Sequence, residues 1–81
     1  MKEYVEKLKN GEPVVIHKNG FTLIVEEGSE GFNGDIYKGE YTYEWIEDND
    51  LEPLDGGICQ SENAEEIIEF FLDSLKFLEK E

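Results

Sequence analysis

The sequence predicts an α+β domain: a short N-terminal helix, an antiparallel sheet of three or four strands, and a long C-terminal helix packed on one sheet face. Three observations predict it. A hairpin dipeptide lies between two apolar runs, an alternating aromatic stretch follows, and the last part of the chain has apolar residues at helical spacing. With 38% hydrophobic and 12% aromatic residues among 81, the chain has material for one small core, and residues 1–81 read as a single domain.

From Lys2 to Asn10 the residues Tyr4, Val5 and Leu8 share a helical face, and Asn10-Gly11 before Pro13 stops that helix. Val14 to Lys18 and Phe21 to Val25 flank Asn19-Gly20, the pair best suited to the positive φ angles of a type I′ turn. Pairing Lys18 with Phe21 sets Ile16 opposite Leu23 and Val14 opposite Val25 on the core face, leaving Val15, His17, Thr22 and Ile24 on the other. Glu27 to Asp35 contains Gly28, Gly31 and Gly34 and reads as a mobile surface loop. Its Phe32 is either a loop anchor or an exposed contact residue.

Asp35 to Ile46 alternates, with Tyr37, Gly39, Tyr41, Tyr43 and Trp45 on one side and Lys38, Glu40, Thr42 and Glu44 on the other. This predicts a third strand whose aromatic stripe packs against a helix. The densest acidic run, Glu47-Asp48-Asn49-Asp50-Leu51-Glu52 followed by Asp55, reads as an acidic loop. It is no EF-hand loop, because counting from Asp48 puts Pro53 and Cys59 where that pattern needs Gly and Glu. Gly56-Gly57 allows a turn before Ile58-Cys59-Gln60, a short edge strand. Ser61 and Asn63 are both acceptable N-caps, and Asn63 with Glu66 starts a helix predicted to run to about Lys80. Ala64, Ile67, Ile68, Phe71, Leu75 and Leu78 form its core stripe, while Glu62, Glu65, Glu66, Glu69 and Asp73 face away. Phe70 and Phe77 widen the apolar arc, as part of a wide buried face or as a homodimer or partner contact.

Twenty-one Asp and Glu against seven Lys and no Arg give a net charge of −14. Such a field repels nucleic acid and anionic membranes and attracts basic protein surfaces. Direct nucleic-acid reading is disfavoured further, because phosphate neutralisation and guanine recognition draw on Lys and Arg. The solitary Cys59 cannot form an intramolecular disulfide, and no apolar run approaches the roughly 18 residues of a membrane span. With charge at Met1-Lys2-Glu3 in place of a signal peptide, a cytoplasmic protein is expected. Chemistry has few candidates. Cys59 and His17 fall short of a zinc ligand set and would have to meet by chance as nucleophile and base, and the glycines match neither nucleotide-binding pattern. No enzyme activity, cofactor or metal is therefore expected. The partner-binding candidates are Glu47, Asp48, Asp50, Glu52 and Asp55 in the loop, Glu62, Glu65, Glu66, Glu69 and Asp73 on the helix, and Phe32.

The order helix, antiparallel strands, long helix on a short acidic chain without Arg resembles small phage-encoded inhibitors of the anti-CRISPR type. That resemblance implies occupation of a basic nucleic-acid channel on an effector, in a bacterial host cell. Separately, Asp55-Gly56-Gly57-Ile58-Cys59-Gln60-Ser61-Glu62-Asn63-Ala64-Glu65-Glu66 resembles the tail of HicB-type antitoxins, where a Gly-Cys strand end precedes a polar turn and an acidic helix. This second resemblance implies neutralisation of a basic toxin.

Overall fold

Residues 2–79 are described by the computed structural model. They run α1 (Lys2–Lys9), β1 (Val14–Lys18), β2 (Phe21–Gly28), β3 (Gly31–Lys38), α2 (Tyr43–Asn49), β4 (Asp55–Cys59) and α3 (Ala64–Glu79). The strands form one four-stranded antiparallel meander in the order β1-β2-β3-β4. This is the α+β architecture expected, with a further helix between β3 and β4. The end predicted near Lys80 lies outside the described residues.

The first hairpin follows the predicted register: Lys18 pairs with Phe21, Ile16 with Leu23 and Val14 with Val25. Asn19 and Gly20 supply the positive φ angles, 51° and 84°, that its turn requires. Val14, Ile16, Leu23, Val25 and Ile36 then form one apolar sheet face, closed by Leu8 of α1 and by Ile67, Ile68, Phe71 and Leu75 of α3. Asn63 caps α3, its side-chain oxygen accepting the Glu66 N–H at 3.1 Å. Full burial of each of these aliphatic side chains contributes about 1.5–3 kcal/mol, so this interface is the main adhesive of the fold.

Glu27 to Asp35 is not a loop. It is the second hairpin, in which Gly28 pairs with Gly31 around Ser29-Glu30, and Gly34 with Val25. The glycines answer a packing demand: a Cβ at Gly34 would lie 2.3 Å from the Phe71 ring, so the ring takes the space a side chain would need. Phe32 accordingly sits in β3 between Glu27 and Cys59, half-buried against the main core. That placement corrects the loop reading of its surroundings.

The predicted third strand is also corrected. β3 begins earlier, at Gly31, and ends at Lys38, while Tyr43 to Asn49 is helical. At the break, Gly39 adopts φ 112°, and its N–H donates to the Gly20 carbonyl at 2.7 Å. The buried Thr22 hydroxyl donates to the Gly39 carbonyl at 2.7 Å and accepts the Tyr41 N–H at 3.0 Å. Thr42 then caps α2, accepting the Trp45 N–H at 3.1 Å. Together these bonds turn the chain across the second sheet face, where Ile46 packs on Ile24 and Tyr37. The Gly56-Gly57 turn is likewise absent, for both residues lie within β4 and pair with Asp35 and Gly34.

Candidate functional site

Strand residues alternate between faces, so α3 against Leu23 and Val25 and α2 against Ile24 lie on opposite sides of the sheet. The predicted acidic residues are divided accordingly. Glu47 and Asp48 belong to α2, Asp50 and Glu52 follow it, and all are exposed. Glu65, Glu66, Glu69 and Asp73 are exposed on α3, with Glu62 just before it.

The two sets differ in their local electrostatics. α3 carries Glu65 and Glu66 in its first turn and Lys76 in its last, the arrangement that a helix dipole favours. Glu66 also accepts a hydrogen bond from the Ser61 hydroxyl at 3.0 Å. These acids have structural work at the helix start. α2 also begins with an acid, Glu44, but differs at its other end. Its last turn has no basic residue, and Glu47 and Asp48 lie where carbonyl ends already concentrate negative potential. Asp50 stands next in the left-handed conformation, φ 49° and ψ 47°, donating its N–H to the Ile46 carbonyl. Asp tolerates that conformation better than most residues, which explains its backbone role but not the adjoining charges.

Behind α2 lies a cluster that sequence patterning did not single out. The Tyr43 hydroxyl donates to Glu26 Oε2 at 2.9 Å. That bond, followed by burial, holds the Tyr43 hydroxyl protonated well beyond its ordinary range. Burial first, then the charges of Asp35, Glu26 and Glu47, pushes Tyr37 up. Burial and then Glu26 raise Asp35 as well. Tyr41, packed against the Ile24, Tyr37 and Ile46 cluster, stacks with the exposed Trp45 at a ring-centroid distance of 4.7 Å. Thr42, assigned above to the polar side of a strand, is the N-cap residue of α2, and the alternating aromatics mask that signal.

Asp55 is separated from the other predicted loop acids. Its register with Ile36 puts it on the α3 face of β4, where it joins Asp73 around a groove of about 390 Å³ lined also by Phe70, Ser74, Phe77 and Leu78. His17 and Cys59 lie on the sheet's opposite edge strands, β1 and β4. The intervening strands separate them by about 14 Å at the usual strand spacing, too far for a nucleophile–base pair. His17 Nε2 is instead 2.7 Å from the Tyr41 carbonyl, to which it donates. Among the described residues, no group of three or more His, Cys, Asp or Glu could hold a metal ion, and no helix is long and apolar enough to cross a membrane. No family model, curated protein or solved structure matches the chain.

Proposed function

We propose that this protein is a non-enzymatic acidic inhibitor whose α2 carboxylates and the loop that follows occupy a basic, nucleic-acid-binding surface of a protein partner. One observation carries the reading: Glu47, Asp48 and Asp50 crowd the C-terminal end of α2 with no basic residue in its last turn. Charges so placed oppose the helix dipole, and the net charge of −14 adds self-repulsion. A Lys/Arg-rich partner groove supplies the missing countercharge and turns an intramolecular cost into association rate and specificity. The specific form is a nucleic-acid mimic of the anti-CRISPR or anti-defence type. A second reading, an antitoxin of HicB-like character, draws support from the β4 strand ending at Cys59 before a polar turn and the capped start of α3. It directs the same acidity at a basic toxin.

The test compares wild type with a variant carrying Asp48→Asn, Asp50→Asn and Glu52→Gln as immobilised baits in bacterial lysate at low salt. Quantitative mass spectrometry should find basic nucleic-acid-binding proteins enriched on wild type and displaced by added duplex DNA. The variant should lose about 2–5 kcal/mol of affinity for each strongly desolvated pair, while Glu65→Gln, Glu69→Gln and Asp73→Asn together lose less. Equal capture by all baits overturns the reading. Capture of a basic toxin that DNA does not displace favours the antitoxin form.

A further inference from the structure

We propose that the free edge of β4 and the groove beside it accept an extended, lysine-bearing segment of a partner protein as a fifth strand. The meander gives β4 a single strand neighbour, β3, among the described residues. Its other edge is therefore available for the main-chain pairing that exposed strands offer. The opposite edge strand, β1, has Pro13 immediately before it and Lys18 at its end, features that discourage such pairing. β4 has Pro53 two residues before it and Asp55 at its start but no Lys, and its middle consists of Gly56 and Gly57.

Its surroundings specify the guest. At Gly34 the Phe71 ring fills the space beneath α3, but one strand further out a Cβ at Gly57 would meet nothing within 4 Å. Phe70, Phe71 and Ser74 of α3 share with Gly56 and Gly57 an open space of about 170 Å³. Phe70 borders this space and with Phe77 lines the adjoining groove at Asp55; the two remain 48% and 73% exposed, the apolar walls that alternate side chains of an added strand can cover. Asp55 and Asp73 are its charged lining residues, and no basic side chain joins them. Phe70, Phe77, Asp55 and Asp73 all lie on the α3 side of the sheet, so they meet every second side chain of the guest, and lysines and leucines two positions apart match that lining. A second copy of this chain does not, because symmetric edge pairing would bring like carboxylates together between two molecules each carrying −14.

The test titrates acetyl-Lys-Thr-Leu-Thr-Lys-Thr-Leu-amide, whose lysines and leucines share one strand face, into isotope-labelled protein and follows backbone amide resonances. Shifts should concentrate at Gly56, Gly57 and Ile58, and replacing the peptide's lysines by glutamates should abolish them. Phe77→Ser, at an exposed position, should weaken binding about tenfold while leaving the unfolding curve unchanged. Successive amides of a strand face opposite edges, so of two peptides N-methylated at every threonine, or at every lysine and leucine, one should fail to bind and the other should bind. Shifts spread evenly over all acidic surfaces, equal binding of both methylated peptides, or a protein dimer that the peptide cannot displace would each overturn the proposal. The α2 variant Asp48→Asn, Asp50→Asn, Glu52→Gln should bind the peptide as wild type does, so this inference and the proposed function fail independently.

Discussion

Thr22 illustrates how one side chain can decide the direction of the chain. It is fully buried, and its hydroxyl satisfies the Gly39 carbonyl and the Tyr41 N–H where the backbone leaves β3. Thr22→Val preserves shape while leaving both backbone groups without that partner, a loss of about 1–3 kcal/mol. Denaturant unfolding of the two proteins measures it, and a difference of only a few tenths would show that water or a shifted backbone replaces the bonds. Sequence pattern placed Thr22 on the sheet face away from Val14 and Ile16 correctly. It could not reveal the hydroxyl's role, because both partners lie at least 17 positions away.

Among the elements, the β2–β3 hairpin and α2 show where local pattern reading fails. Gly34→Ala should be strongly destabilising, since its Cβ would lie 2.3 Å from Phe71 and overpacking of this kind costs about 1–3 kcal/mol or more. Thermal unfolding beside Gly57→Ala, where the added carbon meets nothing, separates the clash from a general glycine effect; equal losses would refute the packing explanation. The first hairpin and α3 were legible because their signals are local: Asn19-Gly20 dictates its own turn, and the apolar stripe of α3 repeats at helical spacing. Gly28, Gly31 and Gly34 misled because composition does not distinguish a glycine needed for loop freedom from one needed to admit a ring from another element. Tyr41, Tyr43 and Trp45 misled because aromatic alternation is a strand signal, and here the Thr22 bonds and the Thr42 cap override it. Of the candidate site, the acidic residues themselves were legible. Their division between opposite sheet faces, and the meeting of Asp55 with Asp73, depend on tertiary packing.

For the whole molecule, protonation should stabilise. Asp35 titrates above its ordinary 3.8 because of burial and then Glu26. Its contribution to stability is fully present below the unfolded value and is lost as pH rises through the higher folded value. Tyr37 and Tyr43 are also raised above 10.0, so their contributions persist through neutrality and are lost in strong alkali. Melting temperature should therefore rise as pH falls from neutrality toward 3.8 and fall as pH rises beyond 10.0. Calorimetry across that range checks both limbs, and Asp35→Asn should flatten the acidic one. A melting temperature that falls steadily on acidification would contradict the sign. The meander has one more consequence, for biosynthesis. Each strand pairs with its neighbours in sequence, whereas the helix that covers Val14, Ile16, Leu23, Val25 and Ile36 is made after all of them. Until α3 leaves the ribosome, the nascent chain presents an adhesive sheet, and slow translation through Ala64–Glu79 would lengthen its exposure to chaperones and to aggregation.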